Sequence, residues 1–255
     1  MLVTKQIISS FSDLKEKPKM ESNLESQCLF GEKVLVLKKK LGWSYVECQL
    51  DNYKGWIKNE TLGRAFDNNF ILNSLNSIVY EVPNLKSKSV FNLFMGSKVN
   101  IIEHDDNWFK IKLNSKKFGF ISKSNNFLQL NSKNINWVDN IRCFKNSPYL
   151  LGGKTCMGID CSGLVQVILE SLNIFVPRNT NDQINFLSKN FIDTDKIEKG
   201  CLLYWKGHVA ITLSNKTLIH SNAFHMKVNE EEIDNVNQRI KRQYGQLLKV
   251  KKIKF

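Results

Sequence analysis

Proline is scarce in this sequence, four in 255 residues, which excludes a collagen-like or proline-rich extended chain. Long hydrophobic runs are missing too. No stretch approaches the roughly 20 apolar residues of a spanning helix, so no membrane span is expected. The opening "MLVTKQIISSFSDLKEK" lacks the apolar core and small-residue cleavage site of a secretory signal. Six cysteines, at 28, 48, 143, 156, 161 and 201, show neither C-x-x-C pairing nor the density of a disulfide scaffold. These absences together point to a reduced, cytoplasmic protein. Acidic residues are in short supply, 24 against 37 Lys and Arg, for a net charge of +13. That balance permits attraction to nucleic acid, anionic membrane or acidic substrates. The lysines are scattered, however, with no arginine cluster and no nucleic-acid motif. A solvated lysine-rich surface is expected, and no nucleic-acid partner.

What is present fits a globular chain long enough for two or three domains: 42% apolar and 24% charged residues over 255 positions. The N-terminal half holds a repeat. One copy reads "FGEKVLVLKKKLGWSYVECQLDNYKGWI" (30–57) and the other "MGSKVNIIEHDDNWFKIKLNSKKFGFI" (95–121). In each, a Gly (31, 96) precedes a Val (34, 99) by three residues and a Trp (43, 108) by twelve. Each closes on Gly-aromatic-Ile: Gly55-Trp56-Ile57 and Gly119-Phe120-Ile121. Apolar residues alternate between these anchors, as in Val34, Val36 and then Trp43, Tyr45, so short strands are predicted. The "GE-x-V-x-V", "W-x-x-V" and "GW-I" strands resemble bacterial SH3-like domains, which implies tandem small barrels.

Beyond Asn131 the pattern changes. A helix is predicted over 135–145, then a turn at Ser147-Pro148 and a Gly152-Gly153 pair. The run Leu164, Val165, Val167, Ile168, Leu169, Leu172 is apolar on most sides. It predicts a buried helix of about eleven residues, closing near Asn173. Cys161, preceded by Asp160, stands at its N-terminal end. Unpaired amides there stabilise an anion, so a lowered thiol pKa is expected. Small Ser162 and Gly163 let a carbonyl approach those amides. The alternative is a buried cysteine acting as a small hydrophobe.

Histidine adds a second signal. Of only four, three stand at 208, 220 and 225. "GHVAITL" alternates, placing His208, Ala210 and Thr212 on one face of a strand. "TLIHSNAF" follows after a Ser214-Asn215-Lys216 turn, so a hairpin sets His220 beside His208. That is the base-plus-orienter relation of a thiol nucleophile's partners. A zinc site from Cys156, Cys161, His208, His220 and His225 is the rival reading, though the spacing matches no familiar zinc pattern. His104, in "EHDDNW", reads as a solvated hairpin residue.

Taken in order, "YLLGGKTCMGIDCSGLVQ", "VPRNTNDQ", "GCLLYWKGHVAITL" and "LIHSNAFHMKV" resemble the NlpC-type cysteine peptidase superfamily. With SH3-like domains ahead, the chain is similar to its γ-D-glutamyl-L-diamino acid endopeptidases. The resemblance implies an α+β fold: two small SH3-like β-barrels, 1–66 and 67–130, followed by a papain-like α+β catalytic domain over 131–255. It implies Cys161 as nucleophile, His208 as general base and then acid, and His220 as the group orienting it. It further implies Asp160, Ser162 and Thr180 as substrate-pocket positions, with Tyr53 and Glu25 recognising the substrate's free amine. No cofactor or metal is implied. The implied partner is a cell-wall stem peptide with a free N-terminal L-Ala, cut between γ-D-Glu and the diamino acid. A secreted hydrolase acting on intact wall, and a non-catalytic wall-peptide-binding protein, are the alternatives. One departure stands out: relatives carry "YLWGG" where this chain has Leu151, which bears on substrate fit.

Overall fold

A computed structural model describes residues 2–125, 127–130 and 136–254. Contacts divide the chain into two compact units, Met1–Lys133 and Asn134–Phe255. The expected domain boundary at 130/131 borders on residues outside those described.

The first unit holds two β-modules. In the first, β1 (Val3–Ile7), β2 (Phe11–Lys15), β3 (Leu24–Leu29), β4 (Lys33–Lys40), β5 (Trp43–Cys48), β6 (Lys54–Lys58) and β7 (Leu62–Arg64) pair antiparallel, in the order β3-β2-β6-β5-β4-β1-β7. Alternation turns Ile7, Leu14, Cys28, Val34, Val36, Val46, Cys48 and Ile57 into one core. Val34 and Val36 face inward as expected, but on β5 it is Val46 and Cys48 that reach the core. A register shift between Val36 and Lys38 accounts for the outer grouping. There Tyr45 packs on Trp56 at 5.3 Å, with the Lys38 ammonium 4.9 Å from the Tyr45 ring.

The second module comprises β8 (Phe70–Leu72), β9 (Asn76–Tyr80), β10 (Ser89–Phe94), β11 (Lys98–Val99), β12 (Ile101–His104), β13 (Trp108–Lys112), β14 (Phe118–Ser122) and β15 (Phe127–Gln129). Its sheets run β10-β9-β14-β13-β12 and β11-β8-β15. Phe30 of the first module enters its core beside Leu72, Val79, Leu93, Val99, Ile111 and Ile121. The glycine that begins each repeat has a physical reason. Gly31 and Gly96 take φ of 83° and 94°, a region costly for residues with a Cβ. At Gly31 a Cβ would stand 1.9 Å from the Lys98 carbonyl oxygen. His104 ends β12 and is exposed.

The second unit contains α1 (Trp137–Cys143), the short pair β16 (Lys154–Thr155) and β17 (Gly158–Ile159), α2 (Cys161–Ser171) and α3 (Thr180–Asn185). Then come β18 (Phe191–Asp193), β19 (Cys201–Trp205), β20 (His208–Thr212), β21 (Thr217–Asn222), β22 (Lys227–Glu232), α4 (Ile233–Tyr244) and β23 (Lys249–Ile253). The sheet is antiparallel, ordered β18-β23-β19-β20-β21-β22. The helix expected over 135–145 is α1; Asn146, at φ 69°, reverses the chain soon after it, and residue 135 lies outside those described. α2 packs against β20 and β21, which explains an apolar sequence on nearly every side. Amphipathic α4 buries Ile233, Val236 and Ile240 against Leu203, Trp205, Ala210 and Leu218. No helix among the described residues is long and apolar enough to cross a membrane.

Candidate active site

Asp160 fixes where α2 begins. Its backbone is extended, and its Oδ1 accepts the Gly163 amide at 2.7 Å, an N-cap that satisfies one orphan donor of the first turn. Gly163 is required by space: a Cβ there would lie 2.5 Å from the Gly153 carbonyl oxygen. The Asp160 carboxylate also accepts the Gly152 amide at 2.8 Å. Arg178, from the chain leading into α3, is 2% exposed. It donates to both carboxylate oxygens of Asp160 at 2.9 and 2.7 Å, to Ser162 Oγ at 3.0 Å and to the Gly153 carbonyl at 3.3 Å. The two residues flanking the cysteine are thus bound into one buried polar network with the Gly-Gly turn.

Cys161 is 7% exposed, and its sulfur lies 3.8 Å from Thr180 Oγ1. The lowered thiol pKa expected from the helix start is not found. Burial, followed by the Asp160 charge, pushes the thiol up; the Val209 amide, the Thr180 hydroxyl and Arg178 act the other way. Magnitudes explain the outcome. A helix terminus contributes about 0.3–1 kcal/mol, up to ~2 in buried settings, whereas full burial moves a pKa by up to about 3–5 units, each ~1.4 kcal/mol.

The hairpin of β20 and β21 brings the histidines together. His208 Nε2 lies 2.8 Å from His220 Nδ1. His220, 1% exposed, places its Nε2 2.8 Å from Glu231 Oε2 on β22. Glu231 also accepts a paired Arg239 guanidinium at 2.7 and 2.9 Å and meets His225 Nε2 at 3.2 Å. Burial, the neighbouring His220 and Arg239 lower the His208 pKa to about 3, against the pull of Glu231. Burial lowers His220 as well, with Glu231 opposing. At Glu231 burial works to raise the pKa, but hydrogen bonds from His220 and Arg239 outweigh it and hold the carboxyl well below its ordinary range. The resting pair near neutral pH is therefore a thiol and a neutral imidazole.

Cys161, His208 and His220 line one cleft of about 430 Å³ with Tyr149, Phe224 and Tyr244. Burial, then the neighbouring Cys161 and Asp160, push the Tyr149 hydroxyl up to about 12, so it remains a hydrogen-bond donor at the cleft wall. Leu151 is 69% exposed. Tyr53 and Glu25 belong to the first unit, where the Tyr53 hydroxyl donates to Glu25 Oε2 at 3.1 Å. Among the described residues no group of three or more His, Cys, Asp or Glu is arranged to hold a metal ion. Arg178, Glu231 and Arg239 were not singled out in the sequence. Their signal was positional only: an arginine within "VPRNT", and a glutamate two strand positions past the partner of His220.

Comparison with known proteins follows the same division. Residues 146–246 match the NlpC/P60 family, 14–62 the bacterial dipeptidyl-peptidase Sh3 domain, and 74–128 the bacterial SH3 domain. A protein named dipeptidyl-peptidase 6 from Lysinibacillus sphaericus is 24% identical over 248 residues, spanning 89% of this chain and 91% of that relative. A gamma-D-glutamyl-L-lysine dipeptidyl-peptidase of Bacillus cereus is 26% identical over 230 residues, 78% of this chain and 68% of the relative. The crystal structure of an NlpC/P60 family protein from Bacillus cereus superposes with a TM-score of 0.83 at 19% identity, covering 97% of this chain and 98% of the other. That likeness speaks for the fold. Two SH3-like domains leading into a helix-borne cysteine and a histidine-bearing antiparallel sheet place the chain in the NlpC/P60 family, as a hydrolase of the cysteine-peptidase type.

Proposed function

We propose that this enzyme hydrolyses the bond between γ-D-Glu and the diamino acid of free cell-wall stem peptides, L-Ala-γ-D-Glu-diaminopimelate or its lysine counterpart, in the cytoplasm during murein peptide recycling. The observation that carries the reading is the cleft shared by Cys161, at the first turn of α2, and the hydrogen-bonded His208–His220 pair. The names borne by the relatives supply the bond.

The chemistry is acyl transfer. The Cys161 sulfur attacks the γ-carbonyl carbon while its proton passes to the free Nδ1 of His208, whose Nε2 faces His220. Amides of the first turn of α2 stabilise the oxyanion. His208 then gives that proton to the departing amine, and the C–N bond breaks, leaving a thioester on Cys161. Water, deprotonated by His208, releases L-Ala-D-Glu and restores the thiol. Asp160, Ser162 and Thr180 are the proposed pocket positions around the nucleophile. Tyr53 and Glu25 are the proposed recognition pair for the L-Ala amine, a phenol and a carboxylate suited to an ammonium group.

Incubation with L-Ala-γ-D-Glu-meso-diaminopimelate, read by mass spectrometry, should release L-Ala-D-Glu; N-acetylation of the alanine should slow cleavage strongly, and intact sacculi should be poor substrates. Tyr53→Phe should narrow the gap between free and acetylated peptide. Cys161→Ala should abolish turnover while leaving the fold intact. Cleavage by that variant, or release of fragments from sacculi at the free-peptide rate, would reject the proposal.

A further inference from the structure

Glu231 lies beyond the residues that touch the reacting atoms, and its surroundings are unusually complete. A carboxylate offers about four acceptor sites. Here three hydrogen-bond donors meet it, His220 Nε2 from β21 and both terminal nitrogens of Arg239 from α4, and His225 Nε2, from the turn between β21 and β22, lies 3.2 Å from Oε1. The side chain is 13% exposed, so water contributes little to holding it.

An ionised carboxylate only accepts hydrogen bonds. The 2.8 Å contact with Glu231 therefore requires the His220 proton on Nε2. His220 Nδ1 is then a lone pair, and it faces His208 Nε2 at 2.8 Å. That contact in turn requires a proton on His208 Nε2, which leaves His208 Nδ1 as the unprotonated nitrogen. Each step follows from the one before it, and the chain ends on the nitrogen that takes the thiol proton.

We propose that Glu231 is a positioning residue, which fixes the tautomer of His220 and, through it, that of His208, so that His208 Nδ1 is open to the Cys161 proton. Arg239 and His225 hold the carboxylate in place. The same charge supports the imidazolium that forms on His208 once the proton has moved. The inference rests on the cysteine-peptidase reading of the cleft, not on which peptide is cut.

The wild-type enzyme gives the first test. Imidazole 15N–1H spectra near pH 7.5 should show both His208 and His220 with the proton on Nε2; the opposite tautomer on either ring overturns the inference. The second test is Glu231→Gln, which keeps shape and an acceptor oxygen but removes the charge. Replacing a charged acceptor by a neutral one is expected to lower kcat about tenfold with KM within twofold. A variant with wild-type kcat and unchanged ring spectra overturns it. The third reading is free of any peptide: the rate at which iodoacetamide alkylates Cys161, mapped by peptide mass. Glu231→Gln should slow it several-fold in parallel with kcat. If alkylation slows while no γ-glutamyl peptide is turned over by wild type, the substrate assignment fails and the relay stands. If peptide is cleaved but the variant alters neither rate, the relay fails alone.

Discussion

Replacing Arg178 with methionine tests the buried network on either side of Cys161. The guanidinium hydrogen-bonds both carboxylate oxygens of Asp160, Ser162 Oγ and the Gly153 carbonyl, and the pair's side chains are 1% and 5% exposed. Removing one partner of a buried pair leaves the other charge uncompensated, at a cost of about 3–5 kcal/mol. Two backbone amides, Gly152 and Gly163, still hold Asp160, so the lower end of that range is expected. For a unit of this size it corresponds to a fall in melting temperature of about 10 °C. The transition of the second unit, followed by near-ultraviolet circular dichroism, measures it. Asp160→Asn combined with Arg178→Met removes both charges and should recover part of the loss, a coupling of opposite sign to simple additivity. Cys161 reports independently. Arg178 lowers the Cys161 pKa and Asp160 raises it, so Arg178→Met should slow Cys161 alkylation at neutral pH and Asp160→Asn should speed it. A single variant melting within about 3 °C of wild type refutes the energetic reasoning. A double variant less stable than the summed singles refutes the pairing.

The histidines predict acid sensitivity with a definite sign. In the unfolded chain they titrate near 6.5, whereas burial takes His208 to about 3 and lowers His220. The unfolded state thus binds more protons below ~6.5, and stability of the second unit, full above that pH, falls toward acid at up to about 1.4 kcal/mol per pH unit for each histidine. Between pH 6.5 and 5, above the carboxylate range, His208→Asn should roughly halve that slope in denaturant melts; an unchanged slope contradicts the assignment. In the first unit, Gly31→Ala combines φ of 83° with a contact of 1.9 Å to the Lys98 carbonyl. It should destabilise that unit by more than the roughly 1 kcal/mol of backbone strain alone, whereas a melting point equal to wild type would show that the turn relaxes freely.

Much of the architecture could be read from local pattern because local pattern caused it. The repeat at Gly31 and Gly96 marks positive-φ turns, a requirement of the backbone itself. The apolar run after Cys161 predicts α2 to within two residues, because a helix buried on all sides has no other composition open to it. His208 and His220 meet because strand alternation and a short turn leave them one face to share. The residues that were missed are those whose partners lie far off in sequence. Arg178 reads as a surface arginine until the fold brings Asp160, eighteen positions earlier, against it. Glu231 sits in "KVNEEE", which by composition is a solvated edge; only Arg239 from α4 and His220 from β21 make it interior.

The thiol shows how a correct local rule yields the wrong sign. The helix start is there, and so are amides that favour an anion, but the same fold that positions them also seals the sulfur and seats Asp160 beside it. Dipole attraction at a helix start is worth about 1 kcal/mol, and full burial of an ionisable group can cost its charged form several times that. The consequence reaches into the mechanism. In the proposed mechanism a sulfur that rests protonated must lose its proton as it attacks, so the step calls for a neutral base aimed at it, more than for a preformed thiolate. The depressed pKa of His208 supplies the neutral form, and the hydrogen bonds from His208 through His220 to Glu231 decide which nitrogen is bare.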